Sequence, residues 1–366
     1  MSAEVNRSYV GVLVNQRLFR GIEQGKTAHE SLYQYVLAGR EYEVTPCFFR
    51  LGDIHPGQST IRAYVSTRQG YIRKEVPTPR VIHNRAMYRS RISNRKLEHL
   101  SNKGITIFNQ YTRYNKYRIH QILLQHPNIR VSLPETELAT IASIKGMMSR
   151  HHTLILKPNN GSIGRGIMKL EKSPNNSWTI YYRGNSKGSY RQYSFRTKLP
   201  LFLLRTIQKK SYLIQQRLPL AEFEGRPYDF RVSVQRDHTG DWNITGIVGK
   251  AAASRSFITN VAQGGKVHPL ETIIKSNTTH SSAYIRDQLT QFSLSVAEHL
   301  SHHLPYLADI GLDVGITPEG FPLFIECNCR DLRYSFLKAG LVEEWVNTYR
   351  NPIGFAKHLL AQRDVE

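Results

Sequence analysis

Two carboxylates and an amide stand at suggestive spacing near the C-terminal end of this chain. Asp313, Glu326 and Asn328 lie in Gly311-Leu-Asp-Val-Gly-Ile-Thr-Pro-Glu-Gly-Phe-Pro-Leu-Phe-Ile-Glu-Cys-Asn328, two short apolar runs joined by a Pro-Glu-Gly turn. Residues two apart on a strand share a face, so Glu326 and Asn328 converge. A hairpin turn brings Asp313 opposite them. These are hard oxygen donors of the kind that bind Mg²⁺ jointly with substrate phosphates. The same spacing also describes a plain hairpin carrying two solvated acids.

A second group of residues suits phosphate. Thr153-Leu-Ile-Leu-Lys-Pro158 is an apolar run ending at Lys157, followed by Asn159-Asn-Gly-Ser-Ile-Gly-Arg-Gly-Ile167. Gly161, Gly164 and Gly166, with Ser162 among them, permit positive φ and a close approach of backbone N–H groups to a ligand. No Gly-Lys-Ser/Thr follows, and the next residues read as a strand, so the turn is not a P-loop. A bare glycine-rich hairpin turn is the alternative.

Together the two groups resemble the ATP-grasp superfamily, over about two thirds of the chain, from Tyr114 to Asn328. The resemblance implies an α+β ATP-grasp fold, in which two α+β subdomains clamp ATP, preceded by a small α/β pre-ATP-grasp domain. Lys116 and Lys157 are similar to the two ATP lysines, and Gly161, Ser162, Gly164 and Gly166 to the lid over the phosphates. Ser211–Leu218 resembles the hinge that meets adenine through its backbone, placing Gln215, Gln216 and Leu218 there. Asp229 stands where an acid takes the ribose, and Arg231 where an arginine takes phosphate. Lys250 and Asn260 match a cation and an Asn…Gly-Gly loop near the γ-phosphate, with Gly264 and Gly265 beside the substrate. Asp313, Glu326 and Asn328 match the ligands of one or two Mg²⁺ ions. Two departures are Gln215-Gln216, where many members have a glutamate, and Lys250, where arginine is common.

Val81-Ile-His-Asn-Arg85, Leu133-Pro-Glu-Thr136 and Pro227-Tyr-Asp-Phe-Arg-Val-Ser-Val-Gln235 are similar to the endospore coat-associated, YheC/YheD-like branch of that superfamily. The resemblance implies an ATP- and Mg²⁺-dependent ligase that forms an acylphosphate and passes the acyl group to an amine or similar nucleophile. It also implies association with spore coat proteins. An ATP-binding or catalytically silent coat component is the alternative with the same fold.

Composition sets further bounds. The 366 residues are 40% hydrophobic with mean hydropathy −0.43, and no run of about 18 apolar residues occurs. Met1-Ser-Ala-Glu-Val-Asn-Arg lacks an apolar core for a secretory signal, so a cytoplasmic site of synthesis is expected. Cys47, Cys327 and Cys329 make neither a disulfide framework nor a zinc site. The net charge is +22, and residues 1–150 hold 23 basic against 10 acidic residues, densest from Arg62 to Lys103. No helix-turn-helix, RRM or zinc-finger pattern supports nucleic acid. The excess fits an anionic carboxylate substrate, peptide or polymer, or a solubilising surface. Arg85, Arg330 and Arg333 are the arginines placed nearest such a substrate.

The elements that must position these residues follow from period and punctuation. Tyr9–Val14, Thr45–Phe49, Arg80–Asn84 and Ile105–Asn109 read as strands, with His29–Ala38 and Arg91–Ser101 as helices between them. That alternation predicts an α/β unit with a parallel sheet over 1–112, ahead of an ATP-grasp unit over 113–366 that divides near 212/213. Helices are expected at Lys116–Gln125, Glu135–Arg150, Ser281–Leu304, Leu341–Tyr349 and Pro352–Leu360, and turns or an insertion at Pro174–Ser177 and Gly184–Ser189.

Overall fold

A computed structural model describes residues 8–88, 90–161, 164–183, 190–254, 256–275 and 280–363. Ser162 and the expected turn at Gly184–Ser189 lie outside them. Three six-stranded sheets carry the described chain.

In the first sheet Thr45–Phe49, Tyr9–Leu13, Val81–Asn84 and Thr106–Phe108 pair in parallel, as the strand–helix alternation predicts. Side-chain alternation gives the sheet two apolar faces. Val10 and Val12 pack with Leu32, Tyr35 and Val36 of helix Leu32–Glu41. Leu13 packs with Leu97 and Leu100 of helix Arg91–Asn102 on the other side. An antiparallel hairpin, Thr60–Thr67 with Gly70–Pro77, extends the edge and was not expected. Its period-two pattern, with buried Ile61, Ala63 and Val65, is obscured in the sequence by Arg62, Arg73 and Lys74.

The middle sheet is antiparallel throughout, in the spatial order Thr136–Leu138, Tyr212–Gln216, Thr153–Pro158, Met168–Lys172, Trp178–Tyr182, Arg191–Phe195. The single helix expected over Glu135–Arg150 is corrected here. Thr136–Leu138 is a strand on the edge of Tyr212–Gln216, and the helix begins at Ile141, where Thr140 and Ser143 form a reciprocal capping box.

The third sheet runs Lys266–Pro269, Trp242–Ala251, Arg226–Arg236, Asp309–Ile316, Pro322–Asn328, with Glu222–Phe223 paired to the start of Arg226–Arg236. Helix Ser282–His303 covers one face. Its Ile285, Leu289, Phe292, Val296 and Leu300, at spacings of three and four, meet Phe230, Val232, Ile247, Leu312 and Val314. The residues between these last five point to the other face, which carries the polar groups described below.

The two C-terminal helices expected on either side of Pro352 are one, Val342–Arg363, with the proline inside it. A proline cannot bond the carbonyl four residues back. Gln235 Nε2 donates to that carbonyl, Thr348 O, at 3.0 Å, so the helix continues with its broken bond replaced. Tyr349, Ile353, Ala356 and Leu360 then bury themselves against the first sheet. Among the described residues no helix is long and apolar enough to cross a membrane.

Candidate functional site

Strand register assembles the polar face of the third sheet. Asp229 sits opposite Lys250, Arg231 opposite Asp313, and Asp313 opposite Glu326. Residues at even separation share the face, so Asp229 with Arg231, and Glu326 with Asn328, complete one contiguous charged row. A register shift beside Asp313 adjusts the pairing there. Gly311 is required at its place. A Cβ would lie 2.5 Å from Asp331 Oδ1 and 2.7 Å from Arg231 Nη1, the two ends of an ion pair that passes over it.

The row is tightly paired. Lys250 Nζ lies 2.8 Å from Asp229 Oδ1 and 2.6 Å from Asp313 Oδ1. Arg231 Nε is 2.9 Å from Asp313 Oδ1, and its Nη1 is 3.1 Å from Asp331 Oδ1. Burial opposes ionisation of Asp313, yet Arg231 and Lys250 hold its carboxyl below the usual range. Burial also pulls on Lys250, and Asp229 and Asp313 more than offset it, so its pKa stands above the ordinary lysine value. Asp229 is pushed up by burial, with Lys250 opposing and Asp313 adding to the rise, and it accepts a hydrogen bond from Thr259 Oγ1.

Two lysines from the other side complete the cluster. Lys116 begins helix Lys116–Leu123, capped by Asn115, whose side chain accepts from Arg118 N at 2.7 Å. The helix start is tied to the turn after Lys157, because Asn159 O and Oδ1 accept from Lys116 N and Tyr117 N. Lys116 Nζ lies 2.8 Å from Gly161 O and 3.0 Å from Glu326 Oε1. Lys157, on the middle sheet, donates to Ile325 O at 3.2 Å, and burial lowers its pKa to about 8. His120, one turn beyond Lys116, joins the same wall, pulled down to about 4 by burial and by Lys157. Its i+4 relation to Lys116 was the available sequence signal, and it was missed.

The described residues of the glycine-rich turn pack beside the cleft, with Gly161 in the wall of the polar cavity described below. Gly164 and Gly166 adopt φ of +68° and +75°. A Cβ on Gly164 would meet Gln263 and Ile258 at 3.2 Å, so the turn lies against the Asn260 loop. Asn260 caps its own loop through Ala262 N, and Gly264 has φ of +93°. A Cβ on Gly265 would lie 2.4 Å from Thr259 O, so the loop backbone doubles back there too closely for a side chain.

Two joined cavities share Lys157, Gln215, Phe324, Ile325 and Glu326. The apolar one is a slot between Ile155, Ile167, Leu220, Phe257 and Phe324, with the Gln215–Leu218 segment and Asp229 in its wall. Gln215 Nε2 is turned away to Thr136 Oγ1 at 2.7 Å, and the Gln216 and Arg217 amides donate to Glu135 O and Thr153 O. Among the described residues the Leu218 amide makes no such bond. The polar cavity holds Lys116, Lys157, Arg231, Lys250, Asn260, Asp313, Glu326 and Asn328.

Two substrate arginines expected from the sequence are corrected. Arg85 and Arg333 are buried and tie the first sheet to the third instead of facing the cavity. Arg85 bonds both oxygens of Glu30, Asp309 Oδ2 and Asp331 O, and Arg333 bonds Asp309 Oδ2 at 2.9 Å and Tyr35 Oη. Both are 2% exposed. Among the described residues of the basic Arg62–Lys103 stretch, Met87 is the one in the cavity wall, so none of their charge lines it. Arg330 does line it, with Arg113 and Tyr334, which the sequence reading passed over.

The donor set is suitable for Mg²⁺. Among the described residues no three or more His, Cys, Asp or Glu side chains form a metal cluster. Asp313 and Glu326 with the Asn328 amide leave positions for oxygens from outside the chain, as an ion shared with phosphates requires.

These sheets, the lysine pair and the cleft between the middle and third sheets constitute an ATP-grasp fold. A family profile described as YheC/D-like ATP-grasp matches residues 104–359, and the chain belongs to that family. The chain is 27% identical over 322 residues to Endospore coat-associated protein YheD of Bacillus subtilis (strain 168), covering 86% of this chain and 70% of that protein. It is 24% identical to Endospore coat-associated protein YheC of the same organism, covering 92% and 94%. Among solved structures it resembles the D-cycloserine synthetase DcsG, with TM-score 0.54, 10% identity and 97% and 99% coverage. VanG D-Ala:D-Ser ligase from Enterococcus faecalis gives TM-score 0.52, 10% identity and 96% and 99% coverage.

Proposed function

We propose that this protein is an ATP- and Mg²⁺-dependent ligase. A substrate carboxylate oxygen bonds to the γ-phosphorus as the bond to ADP breaks, giving an acylphosphate. An amine or similar nucleophile then attacks the acyl carbon, phosphate leaves, and the nucleophile's proton passes to solvent. The observation that carries this reading is the continuity of the cleft, from an apolar slot sized by Ile155, Ile167 and Phe324 into a row of four cations and three oxygen donors.

In this reading adenine lies in the slot and the phosphates lie along Lys116, Lys157, Arg231 and Lys250. Asp229 is the ribose contact, and Asn260 with Gly264 and Gly265 flanks the γ-phosphate. Catalysis of this kind is largely positioning and charge stabilisation, which preset cations supply without covalent work by the protein. Mg²⁺ on Asp313, Glu326 and Asn328 would neutralise phosphate charge. Residues 1–112 form the unit before the nucleotide core, and the substrate is an anionic peptide or polymer connected with the spore coat.

A non-catalytic coat component with the same fold is favoured by the names of the two Bacillus relatives. ADP and phosphate release, measured with Mg²⁺ across pools of acidic, neutral and basic peptides, separates the two readings. Stimulation by an acidic pool, blunted by salt, is the expected result. ATP binding with no release in any pool would favour the silent component.

A further inference from the structure

Part of the basic excess lies on an open sheet edge. The hairpin of Thr60–Thr67 with Gly70–Pro77 carries Arg62, Arg68, Arg73 and Lys74 against a single acid, Glu75. Its second strand is the outermost of the first sheet. Thr60–Thr67 pairs with that strand on one side, and among the described residues nothing bonds the backbone of Tyr71–Val76 from the other. Such an edge leaves the N–H and C=O of alternate residues facing water. Ile72, Arg73, Lys74 and Glu75 are all exposed, Ile72 by 47%.

The nearby acids are already engaged. Asp53 is bonded by Arg50 and lies 3.2 Å from Arg73 Nη2, and Glu75 accepts from Thr60 Oγ1. Among the described residues Arg62, Arg68 and Lys74 have no acid within ion-pair distance. Lys74 stands opposite Ala63 on one face of the hairpin, and Arg73 opposite Tyr64 on the other. A strand arriving at this edge therefore meets a cation on either face.

We propose that this edge is a docking site for an extended acidic polypeptide, which joins the first sheet as its next strand. The open main-chain groups supply the hydrogen bonds, and Arg73 and Lys74 select acidic side chains on the two faces. The same charges turn away the other occupants that an open edge invites. Full antiparallel pairing of two copies would bring their Arg73 and Lys74 together, and like charges across a strand pair are destabilising. A nucleic acid would satisfy the cations through phosphate and leave the backbone groups unpaired. No residue of the hairpin lines either cavity, so the site is separate from the cleft and does not rest on the ligase reading.

The test titrates three octapeptides into the full chain by calorimetry and follows amide hydrogen exchange over Gly70–Pro77. The peptides are (Glu-Thr)4, its amide counterpart (Gln-Thr)4, and a (Glu-Thr)4 diastereomer built with D-threonine, which keeps the charge but cannot form a regular strand. The all-L acidic peptide should bind and slow exchange within Tyr71–Val76. The other two should bind at least about 10-fold more weakly, and added salt should weaken the acidic peptide. Lys74→Glu and Arg68→Glu, at exposed positions, should each weaken (Glu-Thr)4 about 3- to 10-fold. Arg68 lies in the turn, so its variant carries the comparison if Lys74→Glu does not fold. Equal affinity for the diastereomer, or binding without slowed exchange on the strand, overturns strand addition. Equal affinity for (Gln-Thr)4, unaltered binding in both variants, or no binding of (Glu-Thr)4 overturns the acidic occupant. Protection of the edge by raised protein concentration alone would assign it to a second copy. Tighter binding of a DNA duplex that displaces the peptide would assign it to nucleic acid, and either result overturns the proposal.

Discussion

Lys250 Nζ stands 2.6 Å from Asp313 Oδ1 and 2.8 Å from Asp229 Oδ1, so the chain itself holds a buried ammonium against the carboxylate proposed for Mg²⁺. A divalent ion arriving alone must compete with that ammonium and with Arg231. Triphosphate changes the balance by offering Lys250 and Arg231 other anions. Nucleotide and metal are therefore expected to bind cooperatively.

Lys250→Met removes the competitor and leaves Asp229 and Asp313 as buried like charges. Loss of one partner from a buried pair costs about 3–5 kcal/mol, so the variant should melt at lower temperature in metal-free buffer. Mn²⁺ without nucleotide should raise its melting temperature more than that of the wild type, because the ion replaces the missing charge. Equal shifts in the two proteins would show that Lys250 does not hold the metal position.

Lys157→Ala tests the phosphate assignment. The lysine is buried in the wall shared by both cavities and, among the described residues, its one hydrogen bond is to Ile325 O, so its loss should leave the fold intact. Affinity for ATP should fall by about 1.5–3 kcal/mol, the value of a charge-assisted hydrogen bond. Calorimetry finding unaltered affinity would remove Lys157 from the nucleotide site.

Adenine recognition should depend on one backbone group. With the Gln216 and Arg217 amides engaged by neighbouring strands, Leu218 is left to meet the base edge. Leu218→Pro, which deletes that donor, should weaken ATP binding about 5- to 30-fold, in proportion to a lost hydrogen bond of roughly 1–2 kcal/mol. Gln216→Ala should bind as the wild type does. A reversed order of effects would place the base elsewhere.

The ion cluster between the first and third sheets should govern acid stability. Burial raises the Glu30 pKa, but Arg85 and Arg333 overcome it and hold the group at about 2, against an ordinary 4.5. A depressed carboxylate contributes its stability above the unfolded-state pKa and loses it as pH falls from about 4.5 toward 2. At neutral pH that shift corresponds to on the order of 3 kcal/mol. His83, held at about 4 by burial, acts in the same direction, since the unfolded chain takes up its proton first as pH drops below 6.5. Glu30→Gln should be less stable at pH 7 and should lose less on acidification than the wild type. Parallel denaturation curves from pH 7 to pH 3 would count against this linkage.

The sequence by itself determined most of the elements around the cleft and which residue types could gather there. Period-two strands around Asp229 and Asp313, helical spacing from Lys116, and glycines at 161, 164 and 166 are local patterns, set by backbone geometry and side-chain alternation. Strand parity alone puts Glu326 and Asn328 on one face, and a tight turn puts Asp313 opposite Glu326, so their juxtaposition follows without tertiary knowledge. What only the tertiary structure decided is how charges are shared among distant segments. Arg85, Glu30, Asp309 and Arg333 come from four separate parts of the chain, and nothing local distinguishes an arginine that neutralises a buried acid from one that faces a ligand. The same holds for Pro352, whose helix survives because Gln235, more than a hundred residues earlier, reaches the carbonyl that the proline cannot bond. Periodicity records which face is apolar. Which arginine is sealed among buried acids depends on the whole packed set, and for that reason Arg330, which lines the polar cavity, could be told from Arg85 and Arg333 only after the chain was folded.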